Sequence, residues 1–409
     1  MSTAAADAAA HRLAAIREEL PATRHCVYLN AGTCGPLPRR SAAAMQHTMA
    51  AEVERGRIGR ARFDDVRQLL EQARTRIARW LHARPDQIAL TARTTDGLNI
   101  ALWGLRWAPG DQILTTDHEH AGLLAPLAAI ARRFGVEVRF VSLGDCRPET
   151  VLANVQGALT PRTRLLAFSH VLWTNGAVLP LPELVGVAHR AGARVLVDGA
   201  QAAGVIGVDV RRCPVDFYAL PGQKWFCGPE GTGALYVADD ALAVTEPAFA
   251  GYASAAAYDP RSPFFLPVPG AARFETGVPF PPAIAGLVAS LTWLEEELGW
   301  TWIGQRTAAL ANHLAERLEA IDAVEVLTPR PNAGPSSGLV AFRLRGIDAE
   351  TAVERLVARG FYVRSIPAPH AAVRAAPGFY NTVDELDALV DAVRALVAGS
   401  PDHPESRNG

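Results

Sequence analysis

The residues that could do chemistry begin with a lysine. Lys224 is the only lysine among 409 residues, against 39 arginines. Lysine has one ability that arginine lacks: its amine can lose a proton and attack a carbonyl carbon. A general preference for arginine removes replaceable lysines first, so the survivor draws attention. It stands in Asp216-Phe-Tyr-Ala-Leu-Pro-Gly-Gln-Lys224-Trp-Phe-Cys-Gly228, between an apolar strand pattern and the Gly-rich stretch Gly228-Pro-Glu-Gly231-Thr-Gly233. Trp225 and Phe226 beside it would strip water from the amine, lower its pKa and free it as a nucleophile. Upstream, Arg194-Val-Leu-Val-Asp198 places a carboxylate at the end of a buried strand pattern, and Thr91-Ala-Arg-Thr94-Thr95-Asp96 places two hydroxyls at a helix start. Taken alone, Asp198 reads equally well as the cap of a turn, and the threonines as an ordinary helix cap. Together the three fit one cofactor. Pyridoxal phosphate needs a Schiff-base lysine, an acid that pairs with the pyridinium nitrogen, and an anion cradle for its phosphate.

Such residues need elements that bring them to one place. Apolar runs at Gln87–Thr91, Gln112–Thr115, Val136–Ser142, Arg164–Ser169 and Arg194–Asp198 read as strands. Helical periodicity covers Arg62–Leu81, Asp96–Leu105, Ala121–Phe134 and Leu181–Ala191. Strands alternating with helices imply an α/β fold with a mostly parallel sheet covered on both faces. Ligands of such sheets bind at the carboxyl ends of strands, where Asp198 stands. The Pro-, Gly- and Phe-rich stretch from Pro247 to Pro282 reads as an irregular connection. Beyond it come helices Pro282–Leu298 and Trp302–Ala320, strand Gly338–Leu344, helix Ala349–Arg359, strand Phe361–Ser365 and helix Val383–Val397.

At this level the residues carry a resemblance. The chain resembles the class V aminotransferase-fold enzymes, the group with cysteine desulfurases, C–S lyases and isopenicillin-N epimerase. The landmarks are Tyr28-Leu-Asn30, Thr94-Thr95-Asp96-Gly-Leu-Asn99, Glu119-His120, Ser169-His170-Val171, Asp198-Gly-Ala-Gln201, Gly222-Gln-Lys224-Trp225, Arg273-Phe-Glu-Thr276-Gly277, and Arg374 followed by Tyr380-Asn-Thr382. The resemblance implies the pyridoxal-phosphate-dependent transferase fold of type I: a large domain with a mostly parallel seven-stranded sheet and a small α+β C-terminal domain. The expected divisions are an N-terminal helix and arm over 1–30 packing with the small domain, a large domain over 31–282, a small domain over 283–400, and, from its polar and Pro-containing composition, a disordered tail over 401–409. It implies that Lys224 forms the Schiff base and shuttles the proton at the substrate Cα. Asp198 would pair with the ring nitrogen, Gln201 with the ring hydroxyl, and His120 would stack on the ring as a second catalytic group. Thr94 and Thr95 would hold the phosphate, and Thr276 would reach a phosphate across a homodimer interface that shares the active sites. Arg374 would bind the substrate carboxylate, with Asn30, Trp173 and Thr174 completing the amino-acid site.

Departures from the desulfurase pattern narrow the chemistry. Desulfurases carry a sulfur-accepting cysteine on the loop that here reads Ser365-Ile-Pro-Ala-Pro-His370-Ala-Ala-Val-Arg374, which has none. Pro221 and Gln223 replace the usual Ser and His beside the lysine, and Leu172-Trp173 resembles the lyase and epimerase branch. The expected activity is therefore α,β-elimination from an S-conjugated cysteine, giving pyruvate, ammonia and a thiol, in sulfur natural-product metabolism. Epimerisation is the alternative and needs a second acid/base, for which Tyr28, Tyr218, Tyr252 and His370 are candidates. Decarboxylating deamination or aminotransfer on the same fold is a third. Cys227 reads as a small buried hydrophobe.

Composition sets the remaining bounds. With 40 basic and 42 acidic residues the formal charge is −2, a balance that argues against a nucleic-acid binder, and no run of five or six like charges appears. No stretch reaches the roughly 18 apolar residues of a membrane span, and the N-terminus has no signal-peptide pattern. Five scattered cysteines without a CxxC pair argue against a disulfide framework or a metal site, and fit a reducing cytoplasm.

Overall fold

The computed structural model describes residues 3–329 and 336–399. The expected tail over 401–409 lies outside them. Seven strands form the central sheet: β1 (Ile88–Thr91), β2 (Gln112–Thr116), β3 (Glu137–Val141), β4 (Thr163–Ser169), β5 (Arg194–Asp198), β6 (Phe217–Pro221) and β7 (Gly233–Val237). Their spatial order is β1-β7-β6-β5-β4-β2-β3. All neighbours are parallel except β7, which runs antiparallel to both β1 and β6.

Successive side chains of each strand enter different cores. Val195 and Val197 of β5 join the core under one face, and Leu196 joins the core under the other. Tyr218 and Leu220 of β6 point one way, Phe217 and Ala219 the other. Burial on both faces explains why these strands read as continuous apolar runs rather than alternating ones. The first face is covered by α1 (Arg60–Leu81), α2 (Pro148–Ala158), α3 (Leu181–Arg190) and α4 (Pro281–Thr292), through side chains such as Ile77, Val155, Leu184 and Leu287. The second is covered by helices Thr94–Gly104 and Ala121–Phe134, through Leu98, Leu102, Leu123 and Leu127. The position expected to divide the domains, residue 283, falls inside α4, whose Ile284, Leu287 and Leu291 are buried in the large core.

A smaller antiparallel sheet follows, with β8 (Val324–Val326), β9 (Val340–Leu344), β10 (Arg364–Ile366) and β11 (Ala372–Ala375) in the order β8-β9-β11-β10. Helices Trp300–Glu319, Ala349–Ala358 and Val383–Val397 back it around Leu314, Phe342, Val373 and Val390. The N-terminal helix Thr3–Glu19 packs Ile16 against Trp293, Leu294 and Phe379, and Arg17 pairs with Glu385. Val27–Tyr28 pairs in parallel with Phe361–Tyr362, which ties the N-terminal arm to the small unit. The stretch read as irregular contains a short hairpin, Ala255–Tyr258 with Phe265–Pro267. Among the described residues no helix is long and apolar enough to cross a membrane.

Candidate active site

The carboxyl ends of the strands converge on a cavity of about 200 Å³. Its lining includes Arg93, Thr94, Thr95, His120, Ser169, Trp173, Asp198, Gln201, Gln223 and Lys224. Each sits just past a strand: the threonines after β1, His120 after β2, Ser169 and Asp198 ending β4 and β5, and Lys224 after β6. The sheet thus assembles residues that lie up to 131 positions apart, Arg93 to Lys224.

Lys224 lies in the tight turn between β6 and β7. Gly222 and Gly228 let that turn close, because a Cβ on Gly222 would stand 2.1 Å from Thr232 Oγ1 and one on Gly228 2.9 Å from the Gly222 carbonyl oxygen. The lysine side chain is partly exposed, toward the cavity that it lines. Loss of water lowers its pKa to about 8; Asp198 opposes this, and Arg374 and Arg364 reinforce it. A sizeable minority of the amine is therefore neutral near physiological pH, where an ordinary lysine is almost wholly protonated. Asp198 is buried and accepts a hydrogen bond at Oδ1 from the Ala200 N–H at 2.8 Å. Burial pushes its pKa up, while Lys224 holds it down.

The helix Thr94–Gly104 begins at Arg93 without a side-chain cap, so its first N–H groups and dipole are open to an anion. Thr95 comes close to the next helix: a Cβ on Gly122 would lie 2.7 Å from Thr95 Oγ1 and 3.1 Å from His120 Nδ1. His120 caps that helix, its Nδ1 accepting from the Gly122 N–H at 3.0 Å, which leaves Nε2 to carry the proton. Burial, Lys224 and the two arginines lower its pKa to about 4, so the ring is neutral. It meets Trp173 edge-on, with centroids 5.0 Å apart. Beneath it Glu119 accepts from Ser169 Oγ at 2.6 Å and Thr116 Oγ1 at 2.6 Å, and burial raises its pKa to about 7.

Pyridoxal phosphate fits this arrangement. A phosphate would find the uncapped helix end and the hydroxyls of Thr94 and Thr95 there. A pyridinium nitrogen would give Asp198 the countercharge that burial makes it need. Gln201 donates from Nε2 to the Gly32 carbonyl at 2.7 Å and accepts from Trp225 Nε1 at 3.2 Å, which leaves its second Nε2 hydrogen for a ring oxygen. Gln223 Oε1 and Trp173 Nε1 are buried without partners beside the cavity.

Arg374, on β11, is buried to 1% exposure. It donates from Nη1 to the Trp173 carbonyl at 2.9 Å and from Nη2 to Thr33 Oγ1 at 3.4 Å, while Nε has no partner. Burial and Arg364 pull its pKa down to about 9. Asn30 accepts from Thr33 Oγ1 at 2.7 Å, next to this guanidinium.

Four expected residues do not line the cavity: Arg374 and Asn30, linked to its rim through the Trp173 carbonyl and Thr33, and Thr174 and Thr276. Thr174 turns away from Trp173, and its hydroxyl meets His118 Nδ1 at 2.7 Å beside a separate cavity with Cys146 and Asn175; its placement gives no support to a substrate contact. Thr276 is exposed and does not line the cavity within its own chain. Of the candidates for a second acid/base, Tyr28 donates to the Cys34 carbonyl, Tyr218 meets His170 Nδ1, Tyr252 accepts from the Val278 N–H, and His370 stacks on His118. None of the four lines the cavity, and neither does any cysteine. Cys227 is buried, and burial pushes its thiol up to about 12. Sequence reasoning missed Arg364 and Thr33, whose only signal was proximity to Arg374 and Asn30 in the fold.

Comparison with known proteins agrees with the fold and with the cofactor. The sequence pattern of the family Aminotransferase class-V matches residues 27–389. Isopenicillin N epimerase of Streptomyces clavuligerus is 33% identical over 396 residues, covering 90% of this chain and 94% of that protein. A probable cysteine desulfurase of Methanothermobacter thermautotrophicus is 29% identical, covering 93% and 97%. The cystine C–S lyase C-DES, solved with its reaction product cysteine persulfide, superimposes with a TM-score of 0.86 at 33% identity, covering 91% of this chain and 98% of that one. A mutant of C-DES with glycine covalently linked to its pyridoxal phosphate gives a TM-score of 0.87.

Proposed function

The chain belongs to the class-V aminotransferase family, and from that premise we propose that it is a pyridoxal-phosphate-dependent lyase that breaks the Cβ–S bond of an S-substituted cysteine by α,β-elimination. One observation carries the reading: besides His120, whose ring is held neutral, the cavity holds one base, Lys224, and neither a cysteine nor any of the four candidate second acid/bases. Desulfuration through a protein persulfide needs the cysteine, and two-base epimerisation needs a second proton carrier on the opposite face.

The residues divide the work by position. Thr94, Thr95 and the helix end above them hold the phosphate. Asp198 anchors the ring nitrogen, Gln201 the ring hydroxyl, and neutral His120 covers the ring. When bound, pyridoxal phosphate supplies an electron-accepting ring that stabilises the negative charge left at the substrate Cα. Arg374 receives the α-carboxylate in the fork geometry that arginine suits. Lys224 takes the Cα proton and can return it to the departing sulfur. The electron pair left at Cα forms the new double bond as the Cβ–S bond breaks, and hydrolysis of the product yields pyruvate and ammonia.

The kinship with isopenicillin N epimerase supports a second reading, in which the same proton is returned to the other face of Cα. Incubation with a panel of S-substituted cysteines, with products identified by mass spectrometry, tests the proposal. Thiol and pyruvate in equal amounts support it, and substrate recovered with inverted configuration defeats it. Thr276 would reach the phosphate only across a homodimer interface, the assembly that this reading includes.

A further inference from the structure

Arg364 and Arg374 make an arrangement that one substrate carboxylate does not satisfy. The two are direct partners in the register of the antiparallel pair β10 and β11. Like charges opposite one another on a sheet destabilise it. Both guanidiniums turn to the same acceptor: Arg364 Nη1 donates to Thr33 Oγ1 at 3.1 Å and Arg374 Nη2 to the same oxygen at 3.4 Å. That hydroxyl already gives its own proton to Asn30 Oδ1. Among the described residues, neither arginine forms an ion pair with a carboxylate. Arg364 instead lies over the Trp173 ring, 5.9 Å from its centroid, and Trp173 lines the cavity. Both cations lie near enough to lower the pKa values of His120 and Lys224. Gly32 makes the space, since a Cβ there would come within 3.2 Å of Arg374 Nη2.

Arg374 is buried and Arg364, facing it on the neighbouring strand, is half-buried, so holding the two cations together without an anion costs stability. A single α-carboxylate would answer Arg374 and leave Arg364 unmatched. We propose that the substrate carries a second anionic group, held by Arg364 while Arg374 holds the α-carboxylate. The substrate class is then an amino acid with an acidic substituent on its Cβ side, its two acids only a few bonds apart, because the two guanidiniums share one hydroxyl. This rests on the cavity being the amino-acid site, and it makes Arg364 the residue that sets specificity.

The test uses the cofactor-loaded enzyme and a charge pair of equal shape: S-carboxymethyl-L-cysteine and its neutral amide, S-carbamoylmethyl-L-cysteine. The wild type should favour the acid in kcat/KM by roughly tenfold or more, the size of one charge-assisted hydrogen bond, and R364Q should bring the two within about twofold. R364K, which keeps the charge, should restore part of the preference. Calorimetric binding of the amine-free analogues, 3-(carboxymethylthio)propanoate and its carboxymethyl amide, separates this inference from the lyase reading. Neither analogue can react. Tighter binding of the dianion that R364Q abolishes supports the second anion site even if no cysteine is cleaved. Equal binding of the two, or a preference that survives R364Q, overturns it even if elimination is observed. Equal weakening of both analogues in R364Q would mean that one carboxylate bridges the two arginines, and that also overturns it.

Discussion

Lys224 can act as a base only when its amine is unprotonated at the moment the Cα proton must leave. Burial and the two nearby arginines bring it to about 8. Below that pH the amine holds a proton and cannot accept another, so kcat should fall as pH drops through about 8. Arg374→Ala removes one of the cations that depress Lys224. The midpoint of that acid limb should move to higher pH, and KM for substrates with a free α-carboxylate should rise, with kcat/KM lower by about 30-fold or more, the cost of unpairing a buried charge. A pH profile with an unmoved limb and an unchanged KM would place the carboxylate elsewhere. Lys224→Ala should cut turnover by on the order of 10⁴ or more, because the chain has no other lysine to take over. Steady-state rates on the purified variant decide it, and near wild-type turnover would remove the lysine from the chemistry.

Elements decide whether such residues meet. Asp198, Lys224 and the threonine pair were legible in the sequence because each follows an apolar run that ends in polar residues. A buried strand leaves that signature even without an alternating pattern. β11 was not legible: Ala-Val-Arg-Ala is too short and too mixed to read as a strand, so Arg374 stood on what looked like a loop. Its cross-strand partner Arg364 could not be found either, since register is a property of the folded pair. β7 was hidden because it starts at Gly233 in a Gly-rich turn, and its reversed direction leaves no trace in composition. The helix Arg39–Arg55 was missed for a physical reason, since it buries only Ser41 and so shows no apolar core stripe. The close meeting of two helix starts at Gly122 yields a test at this scale. Gly122→Ala puts a methyl against Thr95 Oγ1 and His120 Nδ1. Displacing one hydroxyl from an anion should weaken pyridoxal phosphate binding about tenfold, with the fold intact. Titration of the apoprotein with the cofactor, alongside its circular dichroism, measures both; unchanged affinity would place the phosphate elsewhere.

At the scale of the whole molecule, one chain leaves work undone. Val53 and Ile58 are 85% and 82% exposed, with Met49, Phe63, Val278 and Phe280 also on the surface. Exposed apolar residues that cluster are the usual material of an interaction surface. Thr276, two positions from Val278, does not line the active-site cavity of its own chain. The protein should sediment as a homodimer, and Val53→Glu with Ile58→Glu should yield a monomer that binds the cofactor more weakly. A monomeric wild type with full cofactor affinity would defeat the shared-site arrangement. What happens after the Cα proton leaves separates elimination from epimerisation, and it can be followed directly. The loaded enzyme is incubated with an S-substituted L-cysteine in deuterated water, and pyruvate, thiol and α-deuterated amino acid are followed together by proton NMR. Pyruvate and thiol should appear in equal amounts, with the remaining substrate keeping its L configuration. Deuterium at Cα of a D-amino acid, with neither pyruvate nor thiol, would contradict elimination.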